Sequence, residues 1–206
     1  MKIEQTSIEI YRDTRIEKRT LPKTVFGHHY GPEGRITHNA YRYQLYRFAE
    51  CPLPLLDASE KSERRLCFVM LNPSTADAST DDPTIRKCRR FAADWGYQIL
   101  CVVNLFAWRT ASPKKLVKVF EMGIDVTGLG NDLFLSRAVE DSDITIAAWG
   151  ALPRQLEWRA AEVREFLRKE YPSKVRALGL TKAGHPRHPL YVKKDTKPIQ
   201  FLVRRK

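Results

Sequence analysis

Four short apolar runs constrain the fold of this chain more than any other feature of its sequence. Apolar residues fill nearly every position in them, which is typical of strands buried on both faces of a sheet. The runs lie at 66–71 (LCFVML), 99–107 (ILCVVNLFA), 144–150 (ITIAAWG) and 175–180 (VRALGL). Helical patterns separate or follow them at 83–96, 112–123, 131–142 and 153–171. The alternation predicts an α/β fold, a three-layer α/β/α sandwich around a central four-stranded parallel sheet.

Capping residues mark where two of these helices begin. Asp82 precedes Pro83, and this pair predicts an N-cap followed by the first helical position. Gly96 marks the end of the same helix. Asn131 is expected to cap the helix over 131–142.

The first 65 residues are less regular than the rest. The run AYRYQLYRF (40–48) alternates apolar and polar residues, which predicts a strand. The segment GHHYGPEGR (27–35) is rich in glycine and proline and predicts a loop. We therefore divide the chain into an N-terminal extension, 1–65, packed on a main domain, 66–206.

The charge balance indicates an anionic partner. The chain has 206 residues, a formal net charge of +12 and 43% hydrophobic residues, enough for a sizeable core. A basic excess of this size favours nucleic acid as the first candidate partner. The alternative is an ordinary basic enzyme, because lysine and arginine are spread along the whole sequence. Oligomeric state leaves no readable signal.

The cysteines indicate a reduced protein without a metal site. None of Cys51, Cys67, Cys88 and Cys101 forms a C-x-x-C pair, and two lie inside apolar strands. They are expected to be buried thiols, which fits a reducing cytoplasm. The first residues lack the apolar core of a signal peptide, and no run approaches the ~20 apolar residues of a membrane helix. We expect a cytoplasmic protein with no membrane partner.

Polar and aromatic residues follow the ends of all four predicted strands. In parallel sheets, ligands bind beyond the carboxyl ends of the strands, so these residues predict a pocket. They are Asn72, Pro73, Ser74 and Thr75 after the first strand, Asn104, Phe106 and Arg109 at the end of the second, Trp149 and Gly150 at the third, and His185, Arg187 and His188 after the fourth.

Common nucleotide and hydrolase motifs are missing from this rim. The sequence has no P-loop, no G-x-G-x-x-G after the first strand and no G-x-S-x-G elbow. Pro186 and Pro189 exclude a helical pair of histidine metal ligands. Amides can pair with a base edge or hold a water, and a histidine N–H can stabilise a developing anion. These groups suit cleavage of a bond whose leaving group is a delocalised anion.

The motifs and their order resemble the uracil-DNA glycosylase superfamily. They are NPS after the first strand, VVN in the second, AAWG in the third and HPLY after the fourth. The chain also resembles a bacterial and phage domain family marked by LNPSTAD, DPTIR, NLFA, WG and HPLY over about 66–192. The first resemblance implies a glycosylase-like fold and a DNA glycosylase that hydrolyses the N-glycosidic bond of a damaged, mismatched or modified base.

The resemblance also implies roles for individual residues. Asn72 would position the water, and Asn104 would pair with the base edge. Either His188 or His185 would support the departing base, and the residues after it would probe the duplex. Pro73, Ser74 and Thr75 would line the base pocket, with Phe106 or Trp108 stacking on the base. Arg86, Arg109 and Arg187 would contact DNA phosphates, and no cofactor or metal is implied.

The chain departs from the glycosylase pattern at two points. Ser74 stands where the family keeps a glycine, and Asn72 is a poorer water activator than the aspartate of the most active branch. Asp77, Asp81 and Asp82 are expected to be turn and cap residues. Two other functions therefore remain open: a non-catalytic nucleic-acid-binding protein, and an enzyme acting on free nucleotides or hypermodified bases.

Overall fold

The structure is a computed structural model that describes residues 24–30, 36–49, 64–74 and 80–202, with side chains described from Ala40 onward. The strands are β1 (Thr24–Tyr30), β2 (Ile36–Phe48), β3 (Arg65–Met70), β4 (Ile99–Asn104), β5 (Ile144–Ala147), β6 (Val175–Ala177) and β7 (Ile199–Gln200). The helices are α1 (Pro83–Asp94), α2 (Pro113–Glu121), α3 (Asn131–Glu140) and α4 (Glu157–Glu170), with short 3-10 helices at Arg154–Leu156 and Pro189–Tyr191.

All seven strands form one mixed sheet in the order β1-β2-β4-β3-β5-β6-β7. The four inner strands, β4-β3-β5-β6, run parallel to one another, while β1, β2 and β7 pair antiparallel. The predicted α/β class is confirmed. The sheet is wider than the predicted four strands, because both of its sides carry antiparallel additions.

Each inner strand is buried on both faces because helices cover both. On β3, Leu66, Phe68 and Met70 pack with α1. Cys67 and Val69 face the opposite way and pack in the core that contains α2, α3 and α4. This alternation follows from the two-residue period of a strand, and it explains why the sequence runs are continuously apolar.

Helix α1 begins where the sequence predicts. The Ile85 N–H donates to Asp82 Oδ1 at 2.9 Å, and Pro83 occupies the first turn. Ile85, Cys88 and Phe91 form its buried face at helical spacing. These local signals fix the direction in which α1 leaves the sheet edge.

Several predicted boundaries are wrong, and the third and fourth predicted strands end at Ala147 and Ala177 rather than at 150 and 180. The second strand ends at Asn104 rather than at 107, since the Leu105 and Phe106 N–H groups donate to the carbonyls of Met70 and Leu71, beyond the end of the regular ladder. The cap of α3 is Gly130, and Asn131 lies inside the helix. The buried Asn131 side chain donates instead to the Asn104 and Leu105 carbonyls, so it pins the chain where it leaves β4.

The N-terminal region contributes strands to the sheet itself. Residues 40–48 lie in β2, as predicted, and β2 pairs with β4. Gly27–Tyr30, predicted as loop, lies in β1, and the remainder of that segment lies outside the described residues. Pairing with β2 supplies the hydrogen bonds that a short, glycine-containing segment needs to form a strand.

The described cysteines agree with the prediction of buried thiols. Cys67, Cys88 and Cys101 are buried and unbridged, and Cys51 lies outside the described residues. Within the described part of the chain, no helix has the length and apolar character required to cross a membrane.

Candidate functional site

A cavity of about 630 Å³ lies at the carboxyl ends of the parallel strands. Every segment that follows an inner strand contributes to its walls, as the topology predicts. Its described lining consists of Met70, Leu71, Asn72, Ser74, Asp82, Pro83, Thr84, Thr110, Ala111, Pro113, Trp149, Gly150, Ala151, Thr181, Arg187, His188, Leu190 and Tyr191.

Asn72 has a fixed orientation in this wall. Its Nδ2 donates to the carbonyls of Pro73, at 3.0 Å, and Thr110, at 2.8 Å. The Thr110 N–H in turn donates to the Pro73 carbonyl at 2.9 Å. Both amide hydrogens of Asn72 are therefore used in hydrogen bonds. None of the described residues donates to the Asn72 Oδ1. This oxygen is an acceptor held ready for a ligand or a water.

His188 presents a donor to the same cavity. The Leu190 N–H donates to His188 Nδ1 at 3.4 Å, as the cap of the second 3-10 helix. A neutral imidazole that accepts at Nδ1 carries its proton on Nε2. Burial lowers the pKa of His188 below its ordinary value, the Lys87 ammonium acts in the same direction, and the Asp82 carboxylate opposes them. The imidazole is therefore neutral near pH 7.

Gly150 allows His188 to approach the end of β5. Its φ is +75°, a left-handed conformation that favours glycine. A Cβ on Gly150 would lie 3.1 Å from His188 Cβ. The position of His188 in the HPLY motif therefore depends on the glycine of the WG motif, because a side chain on Gly150 would occupy the space next to His188 Cβ.

The acidic side chains of Asp81 and Asp82, next to the cavity, have different partners. Asp81 accepts from Arg47 Nε at 2.6 Å and Arg89 Nη1 at 2.9 Å, an ion-pair network that ties β2 to α1. Asp82 lines the cavity while capping α1. The predicted cap role is confirmed for Asp82, and Asp77 lies outside the described residues.

The remaining residues predicted for the first motif lie at or beside the cavity. Ser74 lines it, and Pro73 is buried next to Asn72. Thr75 lies outside the described residues. Arg187 also lines the cavity, and its Nε donates to the Leu180 carbonyl at 3.1 Å.

Asn104 and Phe106 are not brought to the cavity. Asn104 is 3% exposed and lies beside its register partner Met70, which does line the wall. Phe106 is fully buried in the core on the opposite face, edge-on to Trp158. The interpretation of Phe106 as a base-stacking residue is corrected, because the chain turns after Asn104 and carries this ring into the α2–α4 layer.

The two candidate histidines lie in different places. His185 lines a second cavity of about 550 Å³, with its Nε2 4.0 Å from Glu157 Oε1. His188 shares the first cavity with Asn72. The geometry thus groups Asn72 with His188 and separates both from His185.

Two of the predicted DNA-contacting arginines lie near the cavity without lining it. Arg86 is exposed on α1, and its Nη1 donates to the Asp81 carbonyl at 2.6 Å. The Arg109 N–H donates to the Ala40 carbonyl, which joins this segment to β2. Arg86 can reach an external ligand more readily than the half-buried Arg109.

Sequence reasoning missed two features of the wall. Thr110 supplies the carbonyl that orients Asn72, but nothing in the sequence RTAS signals this role. Tyr191 is 81% exposed beside His188, their ring centroids 5.7 Å apart; its position two residues after HP was the available signal. Among the described residues, no group of three His, Cys, Asp or Glu side chains is placed to hold a metal ion.

Comparison with known proteins gives one family. Neither the curated proteins nor the solved structures contain a match to the chain. The family match covers residues 42–190, more than half of the sequence, and extends from β2 through the Leu190 wall of the cavity. The chain therefore belongs to the family described as Protein of unknown function (DUF1643).

Proposed function

We propose that this protein is a DNA glycosylase-like enzyme that hydrolyses the N-glycosidic bond of a damaged, mismatched or modified base. The observation that carries the proposal is the pairing of two groups in one cavity. Asn72 Oδ1 is an oriented acceptor, and neutral His188 carries a donor at Nε2. An acceptor positions a water, and a neutral donor stabilises a base leaving as an anion.

The proposed reaction is a hydrolysis at C1′ of the sugar. A water held by Asn72 Oδ1 adds its oxygen to C1′ as the bond from C1′ to the base nitrogen breaks. The electron pair of that bond goes to the base, whose negative charge is stabilised by the His188 N–H. The proton lost by the attacking water passes through solvent to the base anion, so the products are the neutral free base and a sugar with a hydroxyl at C1′.

Electrostatic stabilisation carries most of the rate in this scheme. An asparagine cannot remove a proton, and a neutral histidine donating from Nε2 is not acting as a base. Removing one preorganised donor from such a site typically lowers a rate by about 10²–10³-fold. The lowered pKa of His188 supports this role, because the imidazole stays neutral while it donates.

The arrangement of the inner strands supports the glycosylase-like fold within the proposal. The parallel strands lie in the order β4-β3-β5-β6, with helices on both faces. The exposed Leu190 and Tyr191 follow His188 at the rim, where they can enter the space left by a flipped base. Asn104, the register partner of Met70, does not line the cavity, so the proposal assigns it no contact with the base.

The cavity size favours a second candidate substrate class. A volume of about 630 Å³ lies in the middle of the range of about 300–1,000 Å³ for drug-sized ligands. Such a volume accommodates a bulky modified base or a free nucleotide. The same hydrolysis would then act on a hypermodified base in DNA or on a nucleotide in solution.

The test is base release and abasic-site formation on oligonucleotides carrying uracil, mismatches, oxidised pyrimidines or bulky modified pyrimidines, beside the matching free nucleotides. We expect release by the wild type and a loss of about 10²-fold or more in Asn72→Ala and His188→Ala. His185→Ala is the matched control, since His185 lies in the other cavity, and it should stay within a few-fold of wild type. No release from any substrate, or full activity in both cavity variants, would contradict the proposal.

A further inference from the structure

Helix α2 has one buried face and one basic face. Leu116 is fully buried in the core, with Val119 and Phe120 partly buried on the same side. Lys114, Lys115 and Lys118 are exposed. Lys118 lies four residues after Lys114 and three residues after Lys115, so it is one helical turn from each of them. We call the surface formed by these three lysines the lysine face.

The lysine face lacks the acidic partners found on the other helices. Three exposed cations of α1 and α4 are paired with acids, in Arg90–Asp94, Arg168–Glu165 and Lys169–Glu170, while Arg86 and Arg164 donate to backbone carbonyls. In the described part of the chain, the lysine face makes no ion pair, and the one acid of α2, Glu121, accepts from Gln155 Nε2 at 3.5 Å. Like charges one turn apart repel one another, so α2 carries an unfavourable arrangement that an anionic ligand would relieve.

The lysine face begins at the wall of the cavity. Thr110, Ala111 and Pro113 line that wall, and Lys114 follows directly. The positive end of the α2 dipole lies at the same point and adds to the charge of the side chains. Lys118 is one turn further from the cavity, about 6 Å along the helix axis.

We propose that the lysine face of α2 binds the phosphate backbone of a DNA strand beside the base that enters the cavity. The identification of that base rests on the proposed function, whereas the binding of the strand can be measured without it. Three cations within little more than one helical turn can contact neighbouring phosphates of a backbone, and their helix begins at the cavity wall. The net charge of +12 supports a polyanion rather than a single acidic group.

The experiment compares two triple variants of the full chain that lose the same charge. One is Lys114→Gln, Lys115→Gln and Lys118→Gln; glutamine keeps the helix propensity of lysine. The control is Arg90→Gln, Arg168→Gln and Lys169→Gln, on α1 and α4. Affinity for a fluorescent DNA oligonucleotide is measured between about 50 and 200 mM salt, beside RNA of the same sequence and an acidic peptide.

We expect the lysine-face variant to bind DNA at least tenfold more weakly and to lose about two to three from the slope of log affinity against log salt. The control should keep the wild-type slope. Equal slopes in wild type and the lysine-face variant, no DNA binding by the wild type, or tighter binding of RNA or peptide would each overturn the inference.

Base release measured on the same samples separates this inference from the proposed function. DNA binding that depends on the lysine face, without base release from any substrate, supports the inference and contradicts the enzyme. Base release together with an unchanged salt slope in the lysine-face variant supports the enzyme and contradicts the inference.

Discussion

The two ends of the parallel strands are built differently. At the amino ends of β4, β5 and β6, the chain enters the sheet through turns of only three or four residues, at 95–98, 141–143 and 171–174. At the carboxyl ends, it leaves through segments of six to twelve residues, at 71–82, 105–112 and 148–153. The long segments have enough residues to form walls around a cavity, and the short turns only reverse the chain.

Charge also differs between individual segments at the two ends. Residues 105–118 contain Arg109 and three lysines and no acid, whereas the turn 141–143 is Asp-Ser-Asp. Parallel strands followed by helices place the helix N-termini, with their partial positive charge, at the carboxyl edge. At the cavity edge the basic side chains are concentrated in the segment after β4, whereas the segment after β3 carries Asp77, Asp81 and Asp82.

The largest effect should come from filling the space between β5 and His188. Gly150→Ala places a Cβ 3.1 Å from His188 Cβ and holds alanine at φ +75°. The backbone conformation costs about 1–2 kcal/mol, and the contact displaces the imidazole. We expect base release to fall by at least about 10²-fold, as for loss of one preorganised donor.

Gly123→Ala is the control for that experiment. Gly123 has φ +76°, but nothing lies within 4 Å of a Cβ there. It should lose the same stability in urea unfolding, about 1–2 kcal/mol, and keep its activity. If both variants lost activity equally, backbone strain alone would explain the result and the contact with His188 would have no functional role.

A second comparison tests the side chains that pin the two strand ends. Asn131 is fully buried and donates to the Asn104 and Leu105 carbonyls at the carboxyl end. Asn131→Ala should lower the free energy of unfolding by about 2 kcal/mol. Asn131→Asp should cost more, because an ionised carboxylate cannot donate and would lie beside two carbonyl oxygens.

The matching contact at the amino end is exposed. Asp143 Oδ2 accepts from the Arg65 N–H at 2.6 Å. Because water can replace this partner, Asp143→Ala should cost less than about 1 kcal/mol in the same urea unfolding measurement. Equal costs for Asn131→Ala and Asp143→Ala would show that the carboxyl end is no more dependent on buried hydrogen bonds than the amino end.

The predictable part of the fold was encoded in local patterns. The order of strands and helices follows from apolar runs and helical spacing, and the start of α1 follows from Asp82 and Pro83. These features involve contacts within a few residues. The burial of Cys67 and Cys101 also followed from their apolar neighbours, whereas Cys88 lies between two basic residues and is buried on the core face of α1.

The rest depended on contacts between distant segments. Phe106 lies two residues after Asn104, yet the turn that separates their environments is fixed by the carbonyls of Met70 and Leu71 and by Asn131. His185 and His188 are three residues apart, and contacts with distant segments, such as the β-bridge of Leu180 with Pro186 and the bond from the Gly150 N–H to the Pro186 carbonyl, hold them in separate cavities. No local pattern distinguishes these outcomes.

The smallest effect concerns the pH dependence that His188 gives to the carboxyl edge. Because its pKa is lowered by burial, the unfolded chain takes up a proton as the pH falls below about 6.5 while the folded protein does not. The free energy of unfolding therefore falls from about pH 6.5 down to the folded pKa and is independent of this group above that window. The urea midpoint of wild type should decrease between about pH 7 and pH 5. The decrease over the same pH range should be smaller in His188→Gln. An unchanged slope in His188→Gln would mean that the imidazole is solvated like an exposed histidine, and the neutral donor at the cavity would lose its physical basis.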